Sequence, residues 1–378
     1  MHLFLFFVAQ ILIDMPLQVL GVDPGSGSWD FYSFTEEPDG TEEVKLDISI
    51  TTKRITQNPQ LFTEILSQLE EPYVVAAPSG FGLPLTRIQD LTEDDIKLTM
   101  LKRPDKGDKI IIGLAAILGT LHEQQTPGYV LPSAKHLPTV PVHRKINRID
   151  LGTADKVCTA AVGLQDQSEQ FNIPYEQTAF IMIEIGVGFT AVLAIEDGKI
   201  IDGIGGTNIM GIQACGGLDG ELAYLIGNVH KHNIYGGGVA YIAGFADLGL
   251  EELLMLAEKD EQTSIAVQAY IESLIKAVYA ISTSFSNPQK IREILISGRA
   301  ARQPKIMLPL EERLSSIAPF REMKSYAQVA KRAAQGSAFI ASGLAGGKYS
   351  ALVDCMQIKQ SAGSILDYIY VPHDEPFL

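Results

Sequence analysis

The chain has 378 residues, 46% hydrophobic and 20% charged, enough for two domains that each bury a core. A formal net charge of −15 repels polyanions, which argues against nucleic acid or an anionic membrane as a partner. The three cysteines, Cys158, Cys215 and Cys355, show no CxxC or Cys/His spacing, which argues against a disulfide framework or a zinc site.

In chain order, residues 1–14 hold an apolar run, LFLFFVAQILI, with no Lys or Arg before it and too short to span a bilayer. They read as an extra segment ahead of Met15, a second candidate start, and the chain is expected to be cytoplasmic. Residues 17–23 form a strand that runs through DPGSGS into a second strand. VKLDISI alternates apolar and polar residues, as an antiparallel strand does. Residues 58–70 predict a helix with Leu61, Ile65 and Leu69 on one face. YVVAAP reads as a buried strand ending in the loop SGFGLPLTR, and residues 110–121 as a buried helix. A proline-dotted connection leads to HRKINRID, the densest basic stretch of the chain. Thr153 stands at the N-cap position of the next helix, TADKVCTAAVGL. AFIMIEIGVGFTAVLAIEDGKIIDGIGG then repeats the strand, glycine turn, strand order of residues 17–34 and adds an Asp-Gly hairpin into a third strand. Two such units suggest an internal duplication. A long amphipathic helix over 263–285, a strand at 293–298 and a small-residue helix, AAQGSAFIASGLAGG, complete an α/β pattern with a cleft expected between the halves.

Three pieces of this pattern carry chemistry. In the first turn, Gly25, Ser26 and Ser28 can offer backbone N–H groups and hydroxyls to phosphate oxygens, while Asp23 at the strand end can hold Mg²⁺ through its waters. In the second, Glu184 precedes Gly186, Gly188 and Thr190 in the same order, which makes Glu184 a second Mg²⁺ candidate. In the third, Gly298 and Arg299 end a buried strand where a nucleotide can approach the backbone closely. Singly, each is also an ordinary turn; together and in this order they point to a nucleotide clamp. Gly217, in the loop GGLDGE, is a further nucleotide candidate, though the acids of that loop equally suit a helix N-terminus. Phosphoryl transfer needs positive charge around the transferred group, which makes Arg148 and His143 candidates, with Lys145 beside them. Asp150 is the candidate base for an alcohol acceptor, which a carboxylate acceptor would not need. Asp155 reads as a helix cap, and Phe81 as an apolar wall of an acceptor pocket.

The order DPGSGS, EIGVGFT, ISGRAA and a small-residue C-terminal helix resembles the ATPase superfamily of actin, sugar kinases and heat-shock chaperones. Within it, GFTAVLAIEDGKIIDGIGGT is similar to the corresponding stretch of butyrate kinase. From about Met15 the whole chain resembles an archaeal family of unknown function described as predicted butyrate kinases, through PSGFGLPL, HRKINRIDLGTADK and GGLDGELAYLIG. Asp23 replaces an asparagine of acetate and butyrate kinases, Glu184 an aspartate of the wider superfamily, and Arg299 a glycine of the adenosine turn. The resemblance implies a two-domain actin-like (ribonuclease H-like) ATPase fold with duplicated mixed sheets flanked by helices, the domains spanning 15–160 and 161–378, with the C-terminal helix returning to the first. It implies ATP and Mg²⁺ as cofactors, transfer of phosphate to a small carboxylate such as butyrate, and a homodimer as one expected assembly. An ATP-dependent conformational switch and a sugar kinase are the alternatives the same fold allows.

Overall fold

The computed structural model describes residues 16–37, 39–101, 112–246, 248–372 and 377. The segment 1–14 lies outside the described residues. Among those described, eleven strands form two mixed sheets. The first runs β3-β2-β1-β4-β6-β5, from β1 (Leu17–Pro24), β2 (Ser28–Glu36), β3 (Glu42–Thr51), β4 (Tyr73–Pro78), β5 (Thr86–Arg87) and β6 (Gly128–Leu131). The second runs β11-β10-β7-β8-β9, from β7 (Ala179–Ile185), β8 (Thr190–Glu196), β9 (Lys199–Ile204), β10 (Glu293–Gly298) and β11 (Phe320–Glu322). In each, the first three strands meander antiparallel and the fourth pairs parallel with the first. The duplication expected from the two glycine turns is therefore a duplication of sheet topology.

Local chemistry explains the connections. Asp197 and Gly198 link β8 to β9 with φ of 51° and 70°, the left-handed pair that a tight hairpin turn requires and that Asp-Gly tolerates. Six helices position the site: α1 (Glu93–Met100), α2 (Ile112–Glu123), α3 (Ala154–Phe171), α4 (Lys231–Tyr235), α5 (Glu261–Ser282) and α6 (Arg332–Leu344). The helix expected over 58–70 spans Gln60–Leu66 and buries Phe62, Ile65 and Leu66, while Leu61 and Leu69 are only partly covered. Helix α5 is long and apolar enough to cross a membrane, yet Ala266, Tyr270, Leu274 and Val278 pack into the core beside the second sheet.

Helices α3 and α6 share one core with both sheets, where Val19 and Phe34 of the first meet Phe180 and Leu193 of the second through Cys158, Ala161, Ala334 and Ala338. Small residues make this approach possible. A methyl group on Gly21 of β1 would overlap the Ala334 carbonyl and the Ala338 nitrogen, and one on Gly336 of α6 would overlap the Cys158 carbonyl. The helix from the end of the chain thus lies against the first strand. The expected divide at residue 160 falls inside α3.

Candidate functional site

The tips of the β1–β2 and β7–β8 hairpins meet. A Cβ built on Gly27 would stand 3.0 Å from Val187 Cγ2, and one on Gly188 would stand 3.9 Å from Ser26 Oγ. Both tips line a single cleft together with Asp23, Thr153, Asp155, Lys156, Glu184 and Lys331. Each hairpin leaves the strand at the centre of its sheet, so the shared packing of α3 and α6 fixes the gap between the tips. The same helices enter the cleft by their N-terminal ends, α3 with Asp155 and Lys156 and α6 with Lys331 at its N-cap position.

Two lysines order the charge in this cleft. Lys156 Nζ lies 2.7 Å from Asp155 Oδ2 and 3.0 Å from Glu184 Oε1. Burial works against its ammonium, but the two carboxylates more than offset this and hold it charged. Asp155 is likewise opposed by burial, and Lys156 together with the Thr153 hydroxyl, 2.5 Å away, brings its carboxyl below the usual range. That hydroxyl makes no helix-cap bond, so Thr153 serves the cleft rather than the helix end. Lys331 Nζ stands 2.8 Å from Asp30 Oδ2 and 3.7 Å from Asp23 Oδ2. Asp23 is nevertheless pushed up to about 7, because burial and the neighbouring Asp155 and Asp30 outweigh Lys331.

Glu184 Oε2 is buried and has no hydrogen-bond partner. An unpaired carboxylate oxygen beside a phosphate-sized opening fits a cation or its water shell. Among the described residues no three His, Cys, Asp or Glu converge as a dedicated metal site. Asp23 and Glu184 therefore suit a Mg²⁺ that arrives with a nucleotide and keeps several waters.

The cleft belongs to a longer groove. On one side, Glu184, Gly186, Val187 and Lys331 also line a cavity of about 400 Å³ with Ser28, Ser297, Gly298, Arg302 and Gln303. Gly298 has φ 94° and its missing side chain leaves room for the Ile185 carbonyl, so only glycine fits this strand end. On the other side, Gly25, Ser26, Thr153, Asp155, Lys156 and Phe189 also line a space with Trp29, Phe81, Asp150 and Tyr235.

Not every residue singled out in the sequence borders this groove. Thr190 is fully buried, and its hydroxyl lies 2.9 Å from the Tyr270 hydroxyl in the core, away from the hairpin tip. Ser28 does border it, but its hydroxyl already donates to Asp30 Oδ2 across 2.9 Å. Gly217 lies beside the Asn208 carbonyl and borders neither hairpin. The Arg299 side chain falls outside what the structure describes. His143 and Arg148 line a different recess, with Asp202, Asn208 and Ser284. The basic stretch is spent on tying loops together: Arg144 donates to the Ile201 and Ser284 carbonyls, buried Lys145 to Leu137, and Arg148 to Asn208 Oδ1. Asp150 does reach the groove, but its carboxylate accepts from Gly152 N, Thr207 N and the Thr207 hydroxyl, the pattern of a loop anchor. Asp219 caps its helix by accepting from Glu221 and Leu222 N.

The cations of the cleft, Lys156 and Lys331, were not singled out by sequence reasoning. The available signal was a lysine within the apolar pattern of α3 and another at the head of a small-residue helix. In both cases the surrounding pattern predicts burial, and a buried lysine needs a partner.

The architecture is similar to solved acetate kinases. That from Porphyromonas gingivalis aligns with a TM-score of 0.54 and 15% identity over 80% of this chain and 88% of that one. That from Entamoeba histolytica aligns with a TM-score of 0.53 and 13% identity over 80% and 87%. At such identity the likeness shows the actin-like ATPase fold. No curated protein matches the chain. A family model described as "Protein of unknown function (DUF1464)" matches residues 21–371.

Proposed function

We propose that this chain, which belongs to the DUF1464 family of unknown function, is an ATP-dependent phosphotransferase acting on a small carboxylate, butyrate among the candidates. The observation that carries this reading is the meeting of the Ser26–Gly27 and Val187–Gly188 tips over a cleft that holds Lys156 and Lys331. Although Gly25 N and Gly186 N are already bonded within their turns, the two hairpin tips would grip a triphosphate tail from both sides, and the wider cavity beside Gly298 would take the nucleoside. Asp23 and Glu184 would hold the hydrated Mg²⁺ that accompanies a nucleotide, and the ion would supply positive charge to the phosphates. Lys156 and Lys331 lie where charge accumulates during transfer, and pre-set cations there lower the barrier without reorganisation.

The acceptor approaches from the side of Thr153 and Phe81. Its carboxylate oxygen attacks the γ-phosphorus in line, a new O–P bond forms, the bond to the β–γ bridging oxygen breaks, and ADP leaves. A carboxylate is ionised at neutral pH and needs no base, which matches the occupied state of Asp155 and Asp150. Closure of the two sheets on either side of the shared helices α3 and α6 would exclude water in a cytoplasmic enzyme that takes a small-molecule acceptor.

The test is a hydroxylamine trap for acyl phosphate with purified protein, MgATP and a panel of carboxylic acids. Acyl phosphate and ADP in equal amounts support the reading. Tight MgATP binding with slow hydrolysis that no acid or sugar changes would remove it in favour of an ATP-driven switch. Transfer to a sugar hydroxyl would make the protein an alcohol kinase.

A further inference from the structure

The groove has a fourth compartment that the phosphate chemistry does not use. Among the described residues, a recess of about 280 Å³ is lined by Phe81, Leu101, Ile149, Ile234, Leu366 and Ile369, with Thr207, Phe377 and one charged residue, Lys231. Phe81 lines both this recess and the space beside Lys156 and Ser26. At three further points adjacent residues face the two sides: Ile149 and Asp150, Gly206 and Thr207, Ile234 and Tyr235. The recess therefore lies next to the space beside Ser26 and Lys156 and shares Phe81 with it.

Its walls are built to hold shape. Gly80 and Gly82 flank Phe81 and are pressed against the end of α1, where side chains would collide with the Thr99 and Leu98 carbonyls. The Phe81 carbonyl accepts from the Ser133 hydroxyl across 2.8 Å. The Lys231 ammonium of α4 sits 5.5 Å from the Phe81 ring and 5.4 Å from the Tyr235 ring, which braces the partition from behind. The outer wall is the chain's end, held by Asn147, whose N–H donates to the Tyr368 carbonyl and whose Oδ1 accepts from Tyr370 N, and by Lys135 on the Ile365 carbonyl. A volume just under the usual range for small-molecule sites, about 300–1,000 Å³, and a mostly apolar lining mark a ligand pocket for a small apolar body.

We propose that this recess receives the body of the acceptor, and that the acceptor is a carboxylic acid with a branched or aromatic body larger than butyrate. This rests on the phosphotransferase reading above. The carboxylate stays beside Ser26 and Lys156, and the apolar body passes Phe81 to lie against Ile234, Leu366 and Ile369. Two or three methylene-sized groups buried beyond those of butyrate, at about 0.8 kcal/mol each, give roughly a ten- to fiftyfold preference over butyrate.

Two measurements on the full chain test this. In the hydroxylamine assay, kcat/KM for phenylacetate or 4-methylpentanoate is expected to exceed that for butyrate at least tenfold. Leu366→Trp, which fills the recess, is expected to cut that ratio at least tenfold, with MgATP affinity within threefold of the parent as proof of folding. Ile369→Ala, which enlarges the recess, is expected to shift the preference toward longer acids and serves if the tryptophan variant does not fold. An unchanged ratio in the variants, or a parent enzyme that prefers butyrate or acetate, overturns the proposal. The second measurement is independent of turnover: saturation-transfer NMR of phenylacetate with the protein and MgADP. If no acid is phosphorylated, the kinase reading fails, and this experiment alone decides the recess. Phenylacetate binding that Leu366→Trp abolishes supports the pocket; no binding to the parent chain overturns it.

Discussion

Lys156 Nζ lies 3.0 Å from Glu184 Oε1, a contact between the first turn of α3 and the end of β7 that ties the shared helix to the second hairpin. Lys156 and Glu184 are both largely covered, at 9% and 12% side-chain exposure, so their charges depend on each other rather than on water. Lys156→Met leaves Asp155 and Glu184 as neighbouring buried carboxylates. The expected loss is about 3 kcal/mol of stability by urea denaturation and at least a hundredfold in phosphotransfer. Glu184→Gln, which keeps shape and leaves Lys156 paired with Asp155, is expected to cost less stability but to weaken MgATP binding.

Asp23 gives a pH dependence. Burial and the neighbouring Asp155 and Asp30 push its carboxyl up to about 7 in the folded protein, from about 3.9 in an unfolded chain. A raised pKa means the folded state holds a proton that the unfolded state has lost, so stability without nucleotide is expected to fall as pH rises from about 4 to 7. Binding of Mg²⁺ needs the carboxylate, so MgATP affinity should rise from pH 6 to pH 8 more steeply than the nucleotide's own titration explains. Calorimetry in buffers of different ionisation enthalpy should show proton release on binding. Asp23→Asn is expected to remove both effects.

Ser26, at the tip of the first turn, and Thr190, at the start of β8, should respond in opposite ways. Ser26 is exposed at the hairpin tip, and Ser26→Ala is expected to lower kcat/KM roughly tenfold with no change in Tm, the loss of one hydrogen bond to a charged group. Thr190→Val leaves the buried Tyr270 hydroxyl without its partner. It is expected to destabilise by about 1–3 kcal/mol with MgATP affinity nearly intact.

The contact of α6 with β1 and α3 is tested by glycine substitution. Gly336→Ala forces a methyl into the Cys158 carbonyl and should cost about 1–3 kcal/mol or more, with a broadened unfolding transition. Gly119→Ala, in α2 with open space around it, is expected instead to stabilise by about 0.5–1 kcal/mol.

What the sequence determined by itself is local. The apolar runs, the Asp-Gly turn, the acid–glycine hairpins and the small-residue helix define strands, turns and a close-packing surface, because each follows from steric and burial rules acting over a few residues. Even the duplicated order of the two sheets is legible from the repeated strand, turn, strand pattern. The direction of individual side chains is another matter. Every residue of β8 is buried, so alternation along the strand gives no clue that Thr190 faces Tyr270 rather than the cleft. The basic stretch around Arg148 is conspicuous in the sequence, yet Arg144 and Lys145 donate to backbone carbonyls, and Arg148 and His143 line a recess other than the cleft. The pairing of Lys156 with Glu184 and of Lys331 with Asp23 exists only because α3 and α6 pack between two sheets from distant parts of the chain. Charge placement in the cleft is a product of that packing, and tertiary structure alone decides it.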